Sequence, residues 1–252
     1  MSVFICSDIH GQYDLFRKML DGIHFSDSDY LFCLGDVIDR GPESFTTMKA
    51  LMSLPNAVCL LGNHEMMMWD HLHRNKEYDY WFFGNNGGKK TLREFRGLPE
   101  DERKGILDYI GEMYLQIELK TDDRVFLLSH SSFLPDVGDI QWKNVSPEEA
   151  YHVTWYSPWR PFECEPFSSY RSDNRIHIIG HLPVQSIEGY IWNGYEDPEK
   201  ALAYEDLENN IIDIDLGCAR LGKNMDKNGE GLCCMNLDAF IAGEDSYTYF
   251  KP

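Results

Sequence analysis

An α/β fold is predicted by three features of the sequence. Short apolar runs rich in β-branched and aromatic residues alternate with helical patterns through the first half. Each run stops at a polar loop, usually one carrying a glycine, and the second half adds strand-like runs separated by turn residues. Strand–loop–helix repetition implies parallel pairing, which gathers the loops at the carboxyl ends of the strands along one edge. A chain of 252 residues can bury a substantial core, and no linker, repeat or low-complexity tract divides it. A single domain over residues 1–252 is therefore expected.

The first strand is "VFIC" (Val3 to Cys6), followed by an amphipathic helix from Tyr13 to Ile23 with Gly22 near its end. "YLFCL" (Tyr30 to Leu34) is the second strand, and "ESFTTMKALMSL" is a helix stopped by Pro55. "AVCLL" (Ala57 to Leu61) is the third strand. The pattern from Glu65 to about Met113 is helical, with "EMMMW" (Glu65 to Trp69) as the buried face of a helix. Val125 to Ser129 and Arg175 to Gly180 are further strands. "SPEEA" (Ser146 to Ala150) opens a helix, with serine as N-cap, proline at the first helical position and acids against the positive end of the dipole. From Ile187 onward "IEGYIW", "NIIDID", "LCCMNL" and "SYTYFK" are strand-like. The acid-rich stretch from Tyr195 to Asn210 is expected to be a solvated loop or short helix, with a substrate lid as the alternative.

Acids outnumber bases 42 to 23, for a formal charge of −19. Such a surface repels phosphate backbones and anionic membranes, so neither nucleic acid nor membrane is expected as a partner. An anionic substrate would need a local positive device, either arginine or a metal ion. Of the seven cysteines, Cys6, Cys33, Cys59, Cys218, Cys233 and Cys234 lie in apolar runs, and no CxxC pair occurs. That usage fits reduced, partly buried thiols. The opening "MSVFICSDIHG" lacks a basic segment followed by a long apolar one, and no run of about 18 apolar residues exists. The expectation is a cytoplasmic protein.

Five predicted strands end in oxygen or imidazole donors. "VFIC" leads to Asp8 and His10, "YLFC" to Asp36, Asp39 and Arg40, "AVCLL" to Asn63 and His64, "VFLL" to His130, and "IHIIG" to His181. Carboxylate, carboxamide oxygen and imidazole suit manganese, iron or zinc better than a soft thiolate site would, and the donors suffice for two ions if one carboxylate is shared. Two ions about 3.5–4 Å apart clamp the attacking and leaving oxygens of a phosphoryl displacement. The planar guanidinium of Arg40 suits non-bridging phosphate oxygens. Singly, each motif has an ordinary alternative. "SDIHG" is a common glycine turn, Asn63 a helix N-cap, Asp39–Arg40 a surface ion pair, and His181 a strand-end histidine. Their order and repetition carry the functional reading.

The ordered motifs "SDIHG", "GDVIDRG", "GNHE", "SHSS" and "GHLP" resemble those of the phosphoprotein phosphatase branch of the calcineurin-like metallophosphoesterases, from about Val3 to Asp238. "YWFFGNNGGKKTL", "VTWYSPWR", "IIGHLPV" and "IDIDLGCA" look like the bacterial and bacteriophage lambda-type serine/threonine protein phosphatases. The resemblance implies two packed mixed β-sheets flanked by helices. It implies a first metal held by Asp8, His10 and Asp36, and a second held by the bridging Asp36 with Asn63, His130 and His181. Manganese is the first choice, with iron or zinc as alternatives. It further implies His64 as general acid oriented and kept charged by Asp39, with Arg40 and Arg160 on the phosphoryl oxygens. For Arg160 the alternative is a solvated or cation–π arginine beside Trp159.

The implied activity is direct hydrolysis of a phosphoprotein or phosphopeptide by a metal-bridging hydroxide, without a phosphoenzyme. Three departures bear on substrate choice: Ser7 in place of the usual glycine, Ser131–Ser132 in place of small residues after His130, and Leu182 in place of threonine. One competing reading is a symmetrical dinucleoside polyphosphate hydrolase, with Trp81, Phe82 and Trp155 available for base stacking. Another is an inactive metal-binding scaffold, against which the intact ligand set with His64 and Asp39 argues. His24, His71, His73, His152 and His177 are read as non-catalytic.

Overall fold

Strand β1 (Val3–Cys6) shows how the sequence builds layers. Alternate side chains of a strand point to opposite faces, so Phe4 and Cys6 join one core while Ile5 joins another. The structure, a computed structural model, describes residues 1–74, 80–160, 167–187, 202–221 and 229–252. After β1 come α1 (Tyr13–Gly22), β2 (Tyr30–Cys33), α2 (Ser44–Met52), β3 (Ala57–Cys59) and α3 (Asn63–Arg74). Helices α4 (Gly88–Gly97) and α5 (Glu100–Gly111) precede β4 (Tyr114–Lys120), β5 (Val125–Ser129) and β6 (Ile140–Gln141). Then follow α6 (Pro147–Trp155), α7 (Phe167–Ser172), β7 (Ile176–Ile179), β8 (Tyr204–Asp206) and β9 (Ile211–Asp213). The described chain closes with β10 (Leu232–Asn236), α8 (Leu237–Ala242) and β11 (Tyr247–Phe250).

Two mixed sheets result, one ordered β11-β10-β1-β2-β3 and the other β6-β4-β5-β7-β9-β8. As the strand–helix alternation predicts, β1–β2–β3 run parallel, and so do β5–β7–β9. Between the sheets lies an apolar layer in which Ile5, Phe32 and Leu60 meet Phe126, Leu128, Ile178 and Ile212. The outer face of the first sheet is covered by helices that bury Leu15, Phe16, Met48, Met68 and Ile106. The three methionines Met66, Met67 and Met68 are all buried, as expected of a helix face. Helix α6 carries the expected cap: the Glu149 N–H donates to Ser146 Oγ at 3.2 Å, and the Ser146 N–H donates to Glu149 Oε2 at 2.8 Å.

Two departures from the sequence reading are informative. Strand β4 falls outside the strands expected from the sequence, although Leu115, Ile117 and Leu119 alternate there with Gln116, Glu118 and Lys120, and its polar Gln116 is buried. Gln116 Nε2 donates to the Val137 carbonyl (2.7 Å), while its Oε1 accepts the Leu134 N–H (2.8 Å), so a polar side chain ties a loop to the sheet. Within the acid-rich stretch, Tyr204–Asp206 is strand β8, not loop or short helix. It pairs antiparallel with β9 at the sheet edge, where outward charges are tolerated because one side of the strand faces no partner. The strand expected in "IEGYIW" lies, beyond Ile187, outside the described residues, as does residues 195–201 of the lid alternative.

Candidate active site

The loops leaving β1, β2, β3, β5 and β7 meet at one edge, and their backbone is bent to do so. Asp8 (φ 54°), His10 (48°), Asp36 (55°), Asp39 (70°), Arg40 (63°) and His181 (71°) all adopt the left-handed conformation. Such residues are uncommon outside glycine and cluster where the surrounding fold holds strain at functional sites. The loops also approach one another closely. A Cβ on Gly180 would lie 2.0 Å from Ser7 Oγ and 2.3 Å from Asp8 Oδ2, and one on Gly62 would lie 2.2 Å from Asp36 Oδ1.

Asp36 occupies the middle. Its Oδ2 lies 3.5 Å from His10 Nε2, and its Oδ1 lies 3.6 Å from His130 Nε2. On one side, Asp8 Oδ1 is 3.9 Å from His10 Nε2. On the other, Asn63 Oδ1 lies 3.1 Å from both His130 Nε2 and His181 Nδ1. His10 Nδ1–H donates to the Ile38 carbonyl (2.9 Å) and His130 Nδ1–H donates to the Leu34 carbonyl (2.8 Å). These bonds set the tautomer, so each Nε2 lone pair faces the cluster. The six residues predicted as ligands are thus brought together in two groups that share Asp36.

Burial makes the cluster electrostatically costly by itself. It drives the Asp8 and Asp36 carboxyls well above their ordinary range, with Asp215 adding to the first and Glu65 to the second. Burial also lowers His10 and His181 well below the usual imidazole value and His130 to about 4. Asp8 Oδ1 and His181 Nε2 are buried without a hydrogen-bond partner. Carboxylates crowded together, neutral imidazoles with lone pairs turned inward and orphaned acceptors are the chemistry that a divalent cation satisfies. The donor set fits such ions.

Beside Asp36, His64 Nδ1–H donates to Asp39 Oδ2 at 2.6 Å, and His64 Nε2 lies 3.9 Å from Asp36 Oδ2. The pair is completely buried, and burial pushes the Asp39 carboxyl up to about 7. Arg40 is half-buried with Nη1 3.4 Å from His10 Nε2. Arg160 is exposed, and its charge is one cause of the lowered His181 value, after burial and His130.

Several roles were not legible in the sequence. The fully buried Glu65 accepts three backbone N–H bonds, from Asp36 (2.9 Å), Val37 (2.9 Å) and Ile38 (3.2 Å), and so moulds the loop that presents Asp36. Its place as the last letter of "GNHE" was the available signal. Trp81 is completely buried, and its Nε1–H donates to Asp39 Oδ2 at 2.6 Å. It supports the His64 partner and offers no face for stacking a base, a correction to that expectation. Trp155 does lie near the cluster, with its ring 6.0 Å from His181. Of the departures, Ser7 Oγ donates to Asp8 Oδ2, Ser131 Oγ donates to the Tyr156 carbonyl (2.7 Å), and Leu182 is buried. The hydroxyls are used internally.

The profile of the Calcineurin-like phosphoesterase family matches residues 1–185. The chain is similar to the symmetrical bis(5'-nucleosyl)-tetraphosphatase of Buchnera aphidicola subsp. Acyrthosiphon pisum, 33% identical over 141 residues, which cover 54% of this chain and 46% of that protein. It is also similar to serine/threonine-protein phosphatase 2 of Salmonella typhimurium, 28% identical over 138 residues, covering 54% of this chain and 61% of that one. The match thus spans about half the length of these curated relatives. A crystal structure provisionally identified as a diadenosine tetraphosphatase shares the fold, with a TM-score of 0.61 at 17% identity over 99% of this chain and 93% of that one. With two mixed sheets flanked by helices and a family match over most of its length, the chain belongs to the calcineurin-like phosphoesterases.

Proposed function

We propose that this metallophosphoesterase hydrolyses phosphomonoesters of serine and threonine in proteins. The observation that carries the reading is the buried His64–Asp39 pair beside Asp36, with Arg40 at its rim. A serine or threonine alkoxide is a poor leaving group and needs a proton, which a positioned imidazolium supplies. Asp8, His10, Asp36, Asn63, His130 and His181 would hold two divalent cations, manganese first, with Asp36 shared between them. Bound there, such ions supply Lewis acidity toward phosphoryl oxygens and lower the pKa of water.

The chain's own side chains do the rest. Arg40 and Arg160 orient the phosphoryl oxygens and meet the charge that builds on them. His64 holds a proton on Nε2 while Asp39 accepts the Nδ1–H, favouring the charged ring and fixing its direction. The Trp81 N–H and the surrounding apolar wall hold Asp39 in place. His64→Asn should reduce turnover of a phosphoserine peptide by about 10²–10³-fold and spare p-nitrophenyl phosphate, whose leaving group needs little protonation. Equal losses on both would remove the acid role from His64.

A second reading, symmetrical hydrolysis of dinucleoside tetraphosphates, is favoured by the higher identity of the Buchnera relative, which carries that name. Side-by-side hydrolysis of a phosphoserine/phosphothreonine peptide and diadenosine tetraphosphate by manganese-reconstituted protein tests the choice. Faster peptide turnover supports the protein phosphatase, and preference for the dinucleotide overturns it. No turnover of either substrate by protein that binds two ions would turn the site into a scaffold.

A further inference from the structure

The segment 156–160, which leaves helix α6, is pinned at both ends beside imidazoles of the candidate site. At its start, Ser131 Oγ, next in the chain to His130, donates to the Tyr156 carbonyl at 2.7 Å, and the ring of Trp155 lies 6.0 Å from that of His181. Ser157 and Pro158 are buried, and the Arg160 N–H donates back to the Ser157 carbonyl at 3.0 Å. At its end, the half-buried Trp159 donates its Nε1–H to Asp213 Oδ2 at 2.7 Å. Asp213 closes β9 and is completely buried. It pairs in register with Ile179 of β7, just ahead of His181, and with Tyr204 of β8. Its Oδ1 accepts the Asp215 N–H at 3.0 Å, so each carboxyl oxygen has a donor. The Trp159 ring stands edge-on to Tyr204, 5.1 Å away.

Stability alone does not account for this pair. A buried carboxyl is tolerated where hydrogen bonds meet it, yet apolar groups of the same shape in place of both partners would be nearly neutral. What the hydrogen bond adds is direction. It fixes the rotation of the indole, which the non-directional apolar contacts of the ring do not specify, and with it the backbone that follows. Arg160 is the next residue, and its side chain is exposed. A long exposed side chain gives up rotamer freedom when it grips an anion, and a backbone fixed beforehand lowers that cost. We propose that Trp159 and Asp213 are positioning residues: their hydrogen bond holds residues 156–160 against the second sheet, so that Arg160 reaches the phosphoryl oxygens from a fixed place. This role for the pair rests on the assignment of Arg160 to those oxygens.

The test is a double-mutant cycle on the manganese-reconstituted full chain with p-nitrophenyl phosphate, read as kcat/KM and as affinity for inorganic phosphate. Arg160→Ala should lower kcat/KM by about 10²-fold or more. Trp159→Phe, which keeps an aromatic ring and removes the N–H, should lower it by about 10-fold and weaken phosphate binding in step, with Mn(II) affinity unchanged. In the Arg160→Ala background the same substitution should cost less than about twofold, because the side chain it positions is gone. Should Trp159→Phe not fold, site-specific replacement of Trp159 by benzothienylalanine, which keeps the bicyclic ring and has sulfur in place of the N–H, should give the same pattern. Equal losses with and without Arg160 would make the pair a structural brace and overturn the proposal. So would full activity of Trp159→Phe beside an impaired Arg160→Ala. An Arg160→Ala protein as active as the wild type would instead remove Arg160 from the phosphoryl group, and the positioning role with it.

Discussion

At the scale of single residues, the candidate site depends on side chains that never face the substrate. Glu65 is the plainest case, since both its carboxylate oxygens accept N–H groups of the loop holding Asp36. In Glu65→Gln one oxygen becomes an amide donor facing an N–H donor. Leaving a buried backbone group unpaired costs about 1–3 kcal/mol, and disturbing a group that supports a metal ligand typically costs about 10–100-fold in metal affinity. A lower thermal midpoint together with Mn(II) affinity reduced on that scale is the expected outcome, read by calorimetric titration. Unchanged affinity would show that the loop keeps its shape without the carboxylate. Glu65 also lifts Asp36 electrostatically, so the substitution separates the shape of the loop from its charge.

At the scale of elements, the strand ends work because neighbouring loops fit without room to spare. Gly180, at the end of β7, sits where a Cβ would collide with Ser7 Oγ and Asp8 Oδ2. Gly180→Ala should displace Asp8 and weaken Mn(II) binding by tenfold or more, whereas Gly97→Ala, which meets nothing within 4 Å, should leave it unchanged. Behind the same strand, His177 is buried between the rings of Phe133 (4.3 Å) and Tyr170 (4.9 Å), and neither of its nitrogens has a hydrogen-bond partner. Burial lowers its pKa to about 4. Between pH 6.5 and 4 the unfolded chain takes up this proton and the folded chain does not, so stability is lost as pH falls through that window. At pH 4.5 the loss attributable to His177 is about 2 kcal/mol. His177→Phe should be more acid-resistant by that amount relative to its own stability at pH 7, as measured by urea unfolding at the two pH values. Parallel acid limbs for the two proteins would assign the lability to other groups.

At the scale of the whole molecule, the edge shared by the two sheets collects buried acids that repel one another. Asp213 and Asp215 lie behind Asp8, and all three carboxyls are raised, chiefly by burial. Cations that bind only the folded chain offset this cost. At one hundred times the dissociation constant a ligand adds about 2.7 kcal/mol of stability, which for a chain of this size is a rise of roughly 5–10 °C in thermal midpoint. Manganese should raise the midpoint by that much, and a chelator should reverse it. A midpoint indifferent to both would mean that the acids are accommodated as protonated groups without metal. Among the described residues no helix is long and apolar enough to cross a membrane, and the six described cysteines are free.

By itself the sequence determined the alternation of strands and helices and which loops carry chemistry. Both are written locally, in apolar period, caps and the residues that follow each strand. Asp8, His10, Asp36, Asn63, His130 and His181 could be picked out because each follows a run that reads as a strand, and parallel strands deliver their carboxyl ends to one edge. Strand β4 was legible in the alternation of Leu115, Ile117 and Leu119 with polar residues, though what makes its buried Gln116 tolerable lies in a loop some twenty residues away. Strand β8 was hidden because its pairing with β9 outweighs its acidic composition. Only the tertiary structure decided that Trp81 braces Asp39 instead of facing a substrate, and that Glu65 moulds the central loop. It alone set the Trp159 indole against Asp213. The physical reason is common to these cases: strand register and hydrogen bonds between residues distant in the chain depend on which elements become neighbours, and no local pattern records that.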